Sequence, residues 1–312
     1  MDPQTGKMVL LGAIFGCLDP ILSVAASLSF KDAFQIPLGQ EEEVDEKRRE
    51  LSCNSNSDHV VMINAIQWWE EAKQRGDARR FCSDNFLSVN ILNNLASHKE
   101  QLAKHLKDKN FIASSSPKGT YIQFDSVKST KKCCKLILAD PEANVNSKNK
   151  ALIRAIICAG LYPNVARTHS NSKNGLKNRQ DGSIAFHPKS VNFEKARLFR
   201  YPWVVYFQAI KSKKVLLHDS CMVSPLSLIL FGPTLKYQFN EASEAGPHLL
   251  EIDSLVKFRC NEETYNIVRK LKNSMDYIVK SKIASPGKIQ WDQDEGKVLQ
   301  CIIELLVAEK NQ

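Results

Sequence analysis

The chain has 312 residues, of which 43% are hydrophobic, 25% charged and 8% aromatic, so a collagen, a coiled coil and a wholly disordered chain are excluded and two or three domains fit. Lys and Arg number 43 against 34 Asp and Glu, a formal net charge of +9. That surplus favours an anionic partner, nucleic acid or a membrane surface, without choosing between them.

Residues 8–17 are apolar and follow Lys7, and Val24-Ala25-Ala26-Ser27 is faintly like a cleavage site. A secretory leader and a buried helix are both readings of this stretch. Asp19-Pro20 interrupts it and it is too short to cross a bilayer, which favours the buried helix. Asp19 as cap and Pro20 at the first helical position open a second helix through Leu28. Residues 30–38 read as loop. Residues 41–51 read as a charged helix, Glu-rich at its start, forming a solvated face. Ser57 caps a long helix with an apolar stripe of Val61, Ala65, Trp68, Trp69 and Ala72, and Gly76 ends it. Residues 77–82 form a short basic turn or helix. Ser88 caps a further helix carrying Leu92, Leu95, Leu102 and Leu106. Residues 114–150 are rich in Ser, Lys and Asn and read as a surface excursion between domains. Residues 150–160 return to an apolar helix.

Beyond Gly160 the period becomes strand-like. Candidate strands cover 161–167, 183–187, 203–210, 214–218, 234–239 and 255–260, with an apolar helical turn at 225–231. Short strands around one helix suggest a small barrel, for which an OB-fold is the commonest fit. Residues 262–284 and 292–309 are helices split by Ser285-Pro286-Gly287. The fold class expected is α+β: a helical bundle, then an OB-fold β-barrel, then a C-terminal helical extension.

No residue pattern points to catalysis. There is no GxxxxGK[ST] phosphate loop, no GxSxG and no HExxH. The seven histidines fall at no triad or metal spacing, and His218 and Asp219, adjacent on a strand, are expected to face opposite ways. The nine cysteines are odd in number and irregularly spaced, and read as reduced thiols of a cytoplasmic or nuclear protein. Catalytic, metal and cofactor residues are therefore expected to be none.

The basic signal is stronger. Residues 167–200 hold eight Lys or Arg against Asp181 and Glu194. Long basic loops on a small barrel track a phosphate backbone, which nominates Lys173, Lys177 and Arg179. Tyr162, Phe186, Phe193, Tyr201 and Trp203 are interleaved and offer either stacking faces or core. Lys73, Arg75, Arg79 and Arg80 form a second basic cluster, equally readable as surface solubility.

Several motifs resemble DEAH/RHA-family helicases. They are residues 11–30, Ser57-Asp58-His59 before a Trp-bearing helix, Phe81-Cys82 before Asn85-Phe86-Leu87, residues 159–166, His187-Pro-Lys-Ser-Val-Asn192, residues 224–232, and Ser285-Pro286 with Trp291. The resemblance covers nearly the whole chain and is closest to the G-quadruplex-resolving branch. It implies a ratchet-like helical domain at 1–147, an OB-fold at 148–258 and a helical extension at 259–312. The partners implied are single-stranded RNA or DNA, G-quadruplexes, and RecA-like motor domains, with no membrane. His187, Lys189 and Ser190 fall in the barrel loop that approaches nucleic acid, and Asn90 and Lys99 are the implied ratchet contacts. The motor domains, with their ATP and magnesium, are absent from this sequence, so helicase activity is expected to belong to a longer parent or an assembly. Residues 119–139 also interrupt the family pattern, and are read either as a translated short intron or as a lineage-specific loop. The alternative function is a protein-interaction module that docks motor domains or a regulator without touching nucleic acid.

Overall fold

The computed structural model describes residues 2–112, 141–168, 175–177, 184–238, 248–253 and 256–311. It divides into two compact units, residues 1–148 with 286–288, and residues 149–285 with 289–312.

The first unit is helical. Helix α1 (Pro3–Ile14) begins where the Asp2 carboxylate accepts from Gln4 N and Thr5 N, with Pro3 at the first helical position. It packs against α2 (Leu18–Leu28). Met8, Phe15, Leu18, Ile21 and Leu22 are completely buried between them and their neighbours. Each such side chain contributes roughly 1.5–3 kcal/mol on burial, so this apolar stretch is core, in agreement with the buried-helix reading. A side chain on Gly12 would meet Ile21 atoms at 3.0 Å, which is why that position is Gly. Helix α2 starts one residue before the expected cap. Asp19 lies in its first turn, and its carboxylate serves Lys99 instead.

Helix α3 (Glu41–Ser52) corrects a second expectation, because it is more than a solvated face. Arg48 is buried, donates to Asp32 Oδ2 at 2.8 Å and lies 4.0 Å over the Phe34 ring, fastening the loop 30–38 to the helix. Ser57 caps α4 (Asp58–Arg75) by accepting from Val60 N, and Gly76 ends it at φ +88°. Helix α5 (Ala78–Asp84) follows. Ser88 caps α6 (Val89–Asp108) by accepting from Ile91 N.

Of the expected surface excursion, residues 141–148 are described, and they are docked rather than free. Asn144 Oδ1 accepts from Asp19 N at 2.9 Å, and Asn146 donates to Gly16 O and Phe15 O, so two asparagines satisfy backbone groups at the α1–α2 junction. The segment 119–139 lies outside the described residues.

The second unit opens with α7 (Lys150–Leu161), capped by Asn149 and buried along most of its length. A closed barrel follows, made of β1 (Val165–Thr168), β2 (Leu176–Lys177), β3 (Ile184–Phe186), β4 (Trp203–Lys211) and β5 (Val215–Val223). Its order is β1-β2-β3-β5-β4, antiparallel except for the parallel β3–β5 pair. Ala166, Ile184, Phe186, Val204, Tyr206 and Leu217 fill its interior, the inward half of a period-two alternation.

The strands expected at 234–239 and 255–260 are not barrel staves. They are β6 (Lys236–Gln238) and β8 (Lys257–Cys260) of a separate three-stranded sheet with β7 (His248–Glu251) between them. Helix α8 (Pro225–Phe231) packs against α7, and α9 (Glu262–Ala284) and α10 (Asp294–Asn311) finish the unit. Lys282 pairs with Glu295 at 2.8 Å to join the last two helices. Among the described residues no helix is long and apolar enough to cross a membrane.

Candidate nucleic-acid interface

The loop after β3 carries the first group of expected contacts. The parallel pairing Phe186↔Leu217 sets the register beyond which His187 and His218 sit side by side, with ring centroids 4.2 Å apart. His187 Nδ1 accepts from Lys189 N at 3.1 Å, which fixes the ring against the turn that displays Lys189. Ser190 is buried, and its hydroxyl lies 3.1 Å from Ser220 Oγ. Asn192, wholly buried, donates to Ser220 O and to Ser220 Oγ. Ser190 and Asn192 therefore tie the loop to β5, while Lys189, half-buried, holds the forward position. Asp219 adopts φ +52°, so the regular alternation that would place His218 and Asp219 on opposite faces does not apply at that residue.

A second basic feature lies on the other strands of the barrel. Arg167 and Thr168 of β1, Lys177 of β2, and Arg197, Phe199, Arg200 and Pro202 of the connection to β4 line one open cleft. Arg167, Lys177, Arg197 and Arg200 are all exposed. Arg167 lies 5.4 Å over the Trp203 ring. The tip of the β4–β5 hairpin adds Lys211, Lys213 and Lys214, all exposed, with Ser212 N and Ser212 Oγ both donating to Lys214 O to close the turn.

The interleaved aromatics are mostly core. Phe186 and Trp203 are buried, Phe193 and Phe199 pack against the barrel interior, and the hydroxyls of Tyr162 and Tyr201 are bound to Asp253 and to Glu309 O. Burial and the Glu309 carboxylate both raise the Tyr201 phenol above its ordinary value. In the helical unit, Asn90 is exposed at the start of α6, and Lys73, Arg75, Arg79 and Arg80 are exposed on and beyond α4. Lys99 differs from these. It is 2% exposed, with its ammonium 2.8 Å from Asp19 and 3.7 Å from Glu70, so its charge is neutralised inside the bundle.

The structure thus brings Lys189 and His187 to one loop, with Ser190 as its anchor, and places Lys177 in the cleft. Lys173 and Arg179 lie outside the described residues. Sequence reasoning counted Arg167, Arg197 and Arg200 in the basic stretch without singling them out, and passed over the 211–214 tip. Alternating basic residues near a strand pair were the available signal. Among the described residues no group of three His, Cys, Asp or Glu side chains is placed to hold a metal ion.

The helical unit, the closed five-stranded barrel and the C-terminal helices each correspond to a segment found in helicases, as comparison with known proteins shows. Residues 2–62 match a family model described as helicase associated domain (HA2), ratchet-like, residues 153–235 one for the oligonucleotide/oligosaccharide-binding (OB)-fold, and residues 248–308 one for the C-terminal domain in RNA helicases. The three matched segments are those of RNA helicases, and the chain is similar to DExH-box helicases along nearly its whole length. It is 37% identical over 320 residues to the ATP-dependent DNA/RNA helicase DHX36 of Mus musculus, covering 99% of this chain and 29% of that protein. It is 30% identical over 312 residues to the DExH-box ATP-dependent RNA helicase DExH1 of Arabidopsis thaliana, covering 100% of this chain and 28% of that one. The chain therefore spans less than a third of the length of these relatives.

Proposed function

We propose that this chain is the strand-gripping C-terminal part of an ATP-dependent helicase, closing on single-stranded RNA or DNA that motor domains drive. ATP and magnesium belong to those motor domains in this reading. The observation that carries it is the concentration of cations on the OB-fold barrel: the exposed Lys177 and Lys211, Lys213 and Lys214 tip, with the half-buried Lys189. Such side chains bind a phosphate backbone by displacing its counterions, with little regard for base sequence. Similarity to DNA/RNA helicases supports the same partner. Kinship with DHX36-type proteins, and the sequence resemblance to the G-quadruplex-resolving branch, extend the proposal to folded G-quadruplex substrates.

The test is fluorescence anisotropy of a labelled single strand and of a G-quadruplex with the parent chain and with Lys189→Ala. We expect the variant to bind more weakly and its log affinity to fall less steeply with log salt, by about 0.7 for one lost single-strand phosphate contact. Equal slopes remove Lys189 from the interface. Equal affinity for the quadruplex and an unrelated single strand removes the quadruplex extension.

One observation favours the protein-docking alternative. Phe30, Ile36 and Leu38 of the loop before α3 are 43%, 51% and 99% exposed, an apolar strip suited to a protein surface. Apolar docking is nearly insensitive to salt, so the same titration separates the two readings.

A further inference from the structure

We infer that the cleft between β1, β2 and the 196–202 connection is a second seat for the phosphate backbone, separate from the loop that carries Lys189. This rests on the nucleic-acid reading above. The antiparallel register places Arg167 directly opposite Lys177. Like charges facing each other across an antiparallel pair destabilise it. Arg197 and Arg200, from a different segment, bring two further cations to the same cleft, and none of the described lining residues is acidic. An anion seated there meets cations from three separate segments of the chain.

The cleft is also framed rigidly. Thr168 N donates to Pro202 O at 2.8 Å, joining β1 to the segment before β4. Phe199 packs against Phe186 of the barrel core, with centroids 5.8 Å apart. The ring contacts of Arg167 with Trp203 and of Arg200 with Tyr201 limit where the two guanidinium groups can go. Three arginines suit phosphate oxygens, which they bind in a two-pronged geometry that lysine cannot reproduce. The ligand chemistry is a phosphodiester, and the OB-fold setting makes a nucleic-acid strand its source.

The experiment uses the whole chain, since Arg197 and Arg200 are exposed and Lys189 is half-buried. Oligonucleotide affinity is titrated against salt for the parent, for Arg197→Gln/Arg200→Gln, for Arg197→Lys/Arg200→Lys and for Lys189→Ala. We expect the Gln pair to lower the salt slope by about 1.4 and to weaken binding about tenfold. The Lys pair should keep most of the slope, and the Gln pair combined with Lys189→Ala should show added losses. Unchanged slope and affinity in the Gln pair, with Lys189→Ala still impaired, overturn this inference and leave the nucleic-acid reading standing. A parent chain that binds no oligonucleotide overturns both. Vesicles of anionic phospholipid are the control: cleft-dependent vesicle binding with cleft-independent oligonucleotide binding would make this a lipid seat and sink the proposal.

Discussion

Lys99 shows how a residue can match a motif and do different work. A basic side chain on an amphipathic helix reads as surface, yet this ammonium lies inside the bundle between Asp19 and Glu70. Lys99 falls in step with Leu92, Leu95, Leu102 and Leu106 on the buried face of α6, as the exposed Lys104 does not, but its partners come from α2 and α4 and no spacing within α6 discloses them. Lys99→Met is expected to lower stability by roughly 1–3 kcal/mol, read from the urea midpoint, because two carboxylates lose their counter-charge. Oligonucleotide affinity should be unchanged, and weaker binding by a folded variant would return Lys99 to the interface. The cysteines give a pH prediction. None of the seven described cysteines is in a disulfide, and burial pushes the Cys82 thiol from 9.0 up to about 11. A thiol kept protonated in the fold but not in the unfolded chain withdraws stability as pH rises through the unfolded value. Stability should therefore decline from about pH 9 upward. At pH 8, alkylation should mark the exposed Cys53 and Cys301 well before Cys82, as mass spectrometry would show; equal rates would contradict the burial assigned to Cys82.

At the scale of elements, much was legible where chemistry is local. Ser57, Ser88 and Gly76 bound their helices as their types require, since caps act within one turn. Three features were not legible. Strand β2 has two residues and β7 four, too short for a period to register, and pairing across the chain defines them. The assignment of β6 and β8 to a separate sheet follows from β7, which no periodicity disclosed. Lys272 looks like any lysine of a surface helix, yet it is 5% exposed and donates to Leu230 O at 2.8 Å and Gly232 O at 2.7 Å. It caps the C-terminal end of α8 from a different helix, where cations are favoured. Lys272→Met should cost roughly 1–3 kcal/mol by leaving those carbonyls without a donor, and denaturant unfolding measures it. Gly12→Val should destabilise the helical unit, since its added atoms meet Ile21 where even a Cβ is at 3.0 Å. Full retention of stability in either variant would contradict the packing described.

For the whole molecule, the net charge of +9 was the first clue, and the fold gives it an address. A total charge cannot say which cations gather, because residues far apart in sequence meet only through strand register. The basic stretch 167–200 was visible as composition, whereas the convergence of Arg167, Lys177, Arg197 and Arg200 needed the barrel to close. The anchoring of Lys189 through Ser190, Asn192 and Ser220 needed β5 beside the loop. The central claim is electrostatic capture of a polyanionic strand by this barrel, and the salt dependence of single-strand affinity for the intact 312-residue chain tests it most directly. The account predicts a straight log–log decline with a slope of roughly −2 or steeper, as three or more phosphate contacts require. A flat line, or no measurable binding at low salt, would contradict it.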